Sequence, residues 1–252
     1  MDIKELFNSH KDRIITGLGL ILGVVVILAI NNFYLMWLVL GIVYIIGIYE
    51  ANNLFSIDDK NLLFIGAVVW GSLIFVKHLE LVAFLPVLVM ASYYAYKYQD
   101  MKNIFPFLYP TISMILFLAL YKDFGVFAIV WLIVVVAFTD TLAYFSGKYF
   151  GKTKFSPTSP NKTLEGVAGG VLAGTIFGSI AGLYFNGFLF ALVISFFVSV
   201  FSVFGDLFES YLKRKSNLKD SGNILPGHGG ILDRLDGYLF GVVILYIALK
   251  MV

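Results

Sequence analysis

Residues Ser202 to Gly237 read SVFGDLFESYLKRKSNLKDSGNILPGHGGILDRLDG, the densest run of charge in the chain's second half. Charged residues and glycines stand here between two apolar runs. A charge at membrane depth costs about 2.5–3.5 kcal/mol on insertion scales, so an ionisable cluster kept there signals a functional site. Asp206, Glu209, Ser210 and Lys213 recur at spacings of three and four and so share one helix face. Asp233 and Asp236, three apart, share a face at the start of the next helix. The connection carries Lys219-Asp220 and then Pro226-Gly227-His228-Gly229-Gly230, whose glycines let backbone amides close on a ligand. Two helices and their joining loop are thus expected to form one pocket.

Carboxylates converging from two helices cannot all stay ionised in a low-dielectric site without countercharge. Lysine and arginine supply some, and a divalent cation would supply more. Mg²⁺ takes octahedral oxygen ligands, keeps several waters and is usually held by one or two carboxylates plus substrate phosphates. Such a constellation suits phosphoryl or nucleotidyl transfer, in which most of the work is positioning and neutralising charge. Two other readings compete: an ion-pair network that ties the helices together, and a proton or Na⁺ pathway.

Across the whole chain, 60% of the 252 residues are hydrophobic and only 13% charged, with a mean hydropathy of +0.89. Soluble domains are roughly half apolar and a quarter charged. The expected fold is an all-α, polytopic membrane helical bundle, and no soluble catalytic domain is left over. Cysteine is absent, which removes disulfides, thiolate nucleophiles and Cys-ligated zinc. The histidines, His10, His78 and His228, are too scattered for a His-rich centre, so any metal is oxygen-held: Mg²⁺, Mn²⁺ or Ca²⁺.

A crossing helix needs about 20 apolar residues. Spans are expected near Ile14–Ile30, Phe33–Tyr49, Leu62–Val76, Leu81–Tyr96, Ile104–Tyr121, Phe124–Ser146, Gly166–Phe185, Phe188–Leu212 and Ile231–Val252, about nine in all. Asn31-Asn32 makes a tight turn between the first two. Residues 1–13 read as an interfacial segment rather than a cleaved signal peptide. Residues 14–137 read as scaffold and dimerisation helices, and 138–252 as the helices that carry a cytoplasm-facing catalytic pocket. With the N-terminus cytoplasmic, the basic loops 147–165 and 213–230 fall inside, and only Lys77, Lys122 and Lys250 fall outside, with Arg234 at the start of the last span.

The first half offers little chemistry. Glu50, Asn52 and Asn53 end the second span, and Asp58-Asp59-Lys60 reads as a solvated loop; neither group receives a function. Tyr93, Tyr94, Tyr96 and Tyr98 cluster as an interfacial aromatic belt would. The character changes at Phe138. Asp140 lies one turn before Tyr144 and reads either as a carboxylate satisfied within its helix or as the polar wall of a cavity. Ser156 to Gly170 reads as a loop from its prolines and glycines. In it, Asn161-Lys162-Thr163-Leu164-Glu165-Gly166 offers an ammonium, a hydroxyl and backbone amides at a helix start, where an anion is favoured. The P-loop order is missing, so a solvated basic loop over anionic lipid is the alternative. Gly166, Gly170, Gly174, Gly178 and Gly182 recur every four residues, a spacing that lets helix backbones approach closely.

Ser210, Leu212-Lys213-Arg214, Lys219-Asp220, Ser221, Leu225-Pro226-Gly227-His228-Gly229-Gly230 and Asp233-Arg234-Leu235-Asp236 together resemble the signature of the phosphatidate cytidylyltransferases, or CDP-diacylglycerol synthases, of the compact bacterial type. Ser159-Pro160-Asn161-Lys162-Thr163-Leu164-Glu165-Gly166 is similar to that family's SPxKTxEG segment. The resemblance implies a reaction in which phosphatidic acid attacks the α-phosphate of CTP, giving CDP-diacylglycerol and pyrophosphate for phospholipid synthesis. It implies Mg²⁺, with a monovalent cation as an optional companion, a homodimer among membrane lipids, and residence in the bacterial inner membrane with the site facing the cytoplasm. No nucleic-acid partner is expected. Carried over residue by residue, Asp206, Asp233 and Asp236 are metal ligands. Lys219 and Asp220 join Asp233 and Asp236 in catalysis. Lys213, Arg214, Arg234, Ser210, His228, Lys162, Thr163, Glu165 and Asp140 line the substrates, with His228 equally suited to shaping its loop.

The nearest alternative is a CTP-dependent polyprenol or phytol kinase, which would release CDP instead of pyrophosphate. An ion-coupled transporter would show inverted repeats in matched halves. Nearly all the chemistry here lies after residue 138.

Overall fold

The computed structural model describes residues 3–57 and 59–252. Among them the regular structure is helical, with no strand: α1 Ile3–Ile30, α2 Phe33–Leu54, α3 Asn61–Ser72, α4 Leu79–Val82, α5 Leu85–Tyr96, α6 Phe105–Phe124, α7 Val126–Phe150, α8 Leu164–Ala181, α9 Phe188–Lys215 and α10 Leu232–Lys250. Among the described residues six helical stretches are long and apolar enough to cross a membrane: Phe33–Leu54, Leu79–Tyr96, Met101–Phe124, Val126–Phe150, Leu164–Tyr184 and Phe188–Lys215. The other expected spans fall short by these measures. Ile15–Ile30 and Asn61–Phe75 are apolar but shorter, and α10 carries Asp233, Arg234 and Asp236 in its opening turns.

The chain groups into two compact units. The first comprises Met1–Lys77, Phe84–Thr111 and Ser216–Arg234, and the second His78–Ala83, Ile112–Lys215 and Leu235–Val252.

In the first unit, α2 begins at the tight turn the sequence indicates. Asn31 takes φ 47°, and the Asn32 side chain accepts from the Leu35 amide at 3.1 Å, capping the helix. Helices α2 and α3 are locked by reciprocal indole bonds, Trp70 Nε1 to the Trp37 carbonyl at 2.9 Å and Trp37 Nε1 to the Trp70 carbonyl at 3.2 Å. Gly41 lets the Trp70 ring lie on the α2 backbone, and Tyr44 donates to or accepts from Thr111 at 2.8 Å in the core. Two expectations change here. Asp59 is not simply solvated: it accepts from the Asn61 amide at 2.9 Å and from the Tyr94 hydroxyl at 3.0 Å, while Asp58 lies outside the described residues. Tyr94 is correspondingly buried and leaves the aromatic belt, whereas Tyr96 and Tyr98 are exposed.

The second unit is built on α7, α8 and α9. The glycine row of α8 does what its spacing indicates. A Cβ at Gly170 would strike the Thr139 carbonyl, one at Gly174 the Thr139 and Ser199 hydroxyls, and one at Gly178 the Val135 and Ser195 side chains. The close approach allows polar pairs in an apolar layer: Trp131 Nε1 donates to Ser195 at 2.9 Å, and Thr139 and Ser199 meet at 2.6 Å. Residues 235 onward of α10 join this unit, with Gly241 against Leu132 and Val198. Helix α8 starts at Leu164, two residues before the expected span from Gly166, so the loop expected from Ser156 to Gly170 ends earlier. Thr163 is its N-cap, accepting from the Gly166 amide at 3.1 Å, and of the two readings of Gly166 and Gly170, loop punctuation and helix contact, the structure shows helix contact.

Candidate active site

In the first unit the connection between α9 and α10 folds around two carboxylates. Leu225-Pro226-Gly227-His228 is a tight turn closed by the His228 amide on the Leu225 carbonyl at 2.9 Å. Pro226 precedes Gly227 at φ 72°, the type II arrangement. Arg234 donates through Nε at 3.2 Å and a terminal nitrogen at 2.9 Å to the His228 carbonyl, fixing the turn to the start of α10. Gly229, at φ 83°, passes so close to Asp233 that a Cβ would lie 2.7 Å from Oδ2. Asp233 Oδ2 accepts from the Gly230 and Ser221 amides, each at 2.8 Å, and stands 3.0 Å from the Ser221 hydroxyl.

The second carboxylate is Glu50 of α2, which the sequence reading leaves without a function. It is fully buried. Its Oε1 accepts from the Ile231 amide at 2.9 Å, and its Oε2 from the Leu232 amide at 2.8 Å, with the Ser221 hydroxyl 3.0 Å away. Beside this network opens a cleft of about 640 Å³ lined by Tyr49, Asn52, Asn53, Ser56, Ile57, Ser216, Leu218, Asp220, Ser221, Gly222 and Asn223. Its lining side chains are mostly neutral and polar, with Asp220 the one charged group. Lys219 and Asp220 are exposed.

The second unit holds Lys162, Asp206, Ser210, Lys213 and Asp236 among the residues singled out in the sequence. Lys162, which precedes α8, forms an ion pair with Asp206 Oδ2 of α9, both side chains about three-quarters buried at 26% and 28% exposure. Ser210 donates to Asp206 Oδ1 at 3.2 Å, one helical turn on. Lys213 pairs with Glu209 at 3.2 Å, and Glu209 is fully buried. Asp236 is half-buried, its Oδ1 accepting from the Gly237 amide at 2.8 Å, and it feels the charges of Asp206, Asp140 and Lys213. Thr163 caps α8. Glu165 takes the amides of Lys152 at 3.0 Å and Thr153 at 3.1 Å, together with the Thr153 hydroxyl at 2.9 Å, and so shapes the loop that presents Lys162. Arg214 is exposed at the end of α9.

These donors suit a hard divalent cation. Asp236 of α10 has Asp206 of α9 and Asp140 of α7 as like-charged neighbours, and all the donors are oxygen. Among the described residues no three acidic or histidine side chains form a ready metal cage. Mg²⁺ needs none, because it binds through one or two carboxylates and fills its shell with water and phosphate oxygens.

Glu50 and Ser221 are the participants that the sequence reading passed over as site residues. The available signal was a glutamate near the end of an apolar helix, masked by Asn52 and Asn53 beside it, whereas Asp206 stands in a cluster with Glu209, Ser210 and Lys213.

Six helices among the described residues long and apolar enough to cross a membrane, with Lys162 beside Asp206 and Lys213 beside Glu209, fit an integral membrane protein that handles phosphates. The model of the Cytidylyltransferase family matches residues 11–252, and the chain belongs to that family. It is 47% identical over 251 residues to the phosphatidate cytidylyltransferase of Helicobacter pylori strain J99, covering 98% of this chain and 94% of that one. It is 49% identical over 134 residues to the enzyme of the same name from Bacillus subtilis strain 168, covering 51% and 49%. The Thermotoga maritima phosphatidate cytidylyltransferase is 43% identical over 152 residues, covering 57% and 56%.

Proposed function

We propose that this protein transfers CMP from CTP to phosphatidic acid, giving CDP-diacylglycerol and pyrophosphate for phospholipid synthesis. The observation that carries the reading is the near full-length likeness to a phosphatidate cytidylyltransferase, in a chain whose loop 219–233 is folded tightly around Asp233. A phosphate oxygen of phosphatidate attacks the α-phosphorus of CTP, the bond from that phosphorus to the bridging oxygen breaks, and pyrophosphate leaves. The attacking oxygen is already anionic at neutral pH, so no general base is required. Bringing two anions together is the main task.

Lys162, Lys213, Arg214, Lys219 and Arg234 hold phosphate oxygens in this account. Lys162 exchanges Asp206 for a substrate oxygen, and His228 presents its turn to the phosphates. Ser210, Thr163, Glu165 and Asp140 line the substrates, and Asp220 orients them from the cleft wall. Mg²⁺, bound when present by Asp206, Asp233 and Asp236, supplies charge neutralisation at the reacting phosphates.

The arrangement in the membrane follows from the charge pattern. About nine helices cross, with the short apolar α1 and α3 and the charged α10 among them. The N-terminus and the basic loops lie in the cytoplasm, and the site opens there at the bacterial inner membrane. Residues 14–137 serve as scaffold and as the contact between two copies, and 138–252 carry the chemistry.

The direct test is pyrophosphate release by the purified protein in detergent. Release that requires phosphatidic acid, CTP and Mg²⁺ together, and stops with EDTA, is expected. No pyrophosphate from a folded sample would overturn the assignment.

A further inference from the structure

Glu50 belongs to α2, far in sequence from every residue assigned to the reaction, yet it is the hub on which the connection before α10 is hung. Its two oxygens take the Ile231 and Leu232 amides, donors of the opening turn of α10 that have no partner inside that helix. A carboxylate there is favoured by charge-assisted bonding and by the positive end of the helix dipole. The loop wraps this carboxylate so tightly that Gly222 and Gly230 have Glu50 oxygens where a Cβ would stand. Ser221 completes the link. Its hydroxyl lies 3.0 Å from Glu50 Oε2 and 3.0 Å from Asp233 Oδ2, and it accepts from the Asp233 amide at 3.3 Å.

From this geometry we infer that Glu50 is a positioning residue for the cytidylyl transfer, acting through Ser221 and the opening turn of α10 to set the orientation of Asp233 and the wall of the adjoining cleft. The inference rests on the reading that Asp233 serves the reaction. Glutamine at position 50 is a stringent probe because it keeps the volume. Whichever way its amide turns, its nitrogen faces a backbone N–H, that of Ile231 or that of Leu232, so one donor is left opposed in a dry site.

The test uses the full chain in detergent, with Glu50→Gln, Ser221→Ala and Asp233→Asn compared for steady-state kinetics and for amide hydrogen exchange without substrate. Glu50→Gln is expected to lower kcat about 10- to 100-fold with KM for CTP changed far less, the size that a small misplacement of reacting groups produces. Exchange should accelerate at Ser221, Gly230, Ile231 and Leu232 while α7, α8 and α9 keep their protection. Ser221→Ala, a smaller change, should show the same pattern more weakly, and it decides the matter if Glu50→Gln does not fold. Unaltered kcat and exchange in both variants would overturn the inference. So would loss of protection spread evenly through α7–α9, which would make Glu50 a residue of general stability. An active Asp233→Asn variant would instead remove the role given to Asp233, leaving the exchange result to stand or fall by itself.

Discussion

Lys162 and Asp206 form an ion pair with both side chains largely out of water, and in the proposed reaction a phosphate oxygen competes with the carboxylate for that ammonium. Lys162→Ala should therefore raise the KM for CTP or phosphatidate by about 10-fold or more, the worth of a hydrogen bond to a charged group. Kinetics identical to wild type would return the 156–163 loop to a solvated basic segment. Asp233→Asn should cost more than the ~10- to 100-fold typical of losing an outer partner of a metal, while the protein still inserts and purifies. A turnover close to wild type would dismiss Asp233 as a ligand. At this scale charge that stood out against apolar surroundings was what drew attention, and Asp206, Asp233 and Asp236 were conspicuous in the sequence. Glu50 was not, because a glutamate followed within three residues by Asn52 and Asn53 looks like the wet end of a span. The hydroxyl that identifies it as buried, that of Ser221, comes from 171 residues away.

Helix α8 carries the packing of the second unit, and its tolerance can be measured. Gly174→Leu forces a side chain into the space held by Thr139 and Ser199, and should destabilise by about 1–3 kcal/mol through overpacking. A lowered thermal midpoint of the detergent-solubilised protein would register the loss, and an unchanged midpoint would mean that α7 and α9 yield without cost. The four-residue recurrence of glycine announced this contact correctly. The start of the same helix was less legible. Gly166, Gly169 and Gly170 look like loop punctuation in one dimension, and only the Thr163 cap and the neighbouring α7 turn them into helix. In the first unit Tyr94 misled in the same way, since an aromatic at an expected interface carries no mark that its hydroxyl will find Asp59.

For the molecule as a whole, membrane character was evident from composition alone, whereas the number of crossings was not. Ile15–Ile30 and Asn61–Phe75 are short, and α10 opens on the charged residues of the site itself, so length and hydropathy leave them undecided. Because the chain has no cysteine, single cysteines report topology without background. An odd number of spans with the N-terminus inside predicts that Val252→Cys reacts with an impermeant maleimide in intact spheroplasts and that Lys154→Cys reacts only after permeabilisation. The reverse pattern would invert the proposed orientation. The central claim, transfer of CMP rather than of a terminal phosphate, is tested most directly by following two labels of CTP into the lipid fraction. With phosphatidic acid as acceptor, label on the α-phosphate should enter the lipid while label on the γ-phosphate leaves as pyrophosphate. If γ-label entered a lipid and CDP accumulated instead, the protein would be a CTP-dependent lipid kinase, and transfer of CMP would be contradicted.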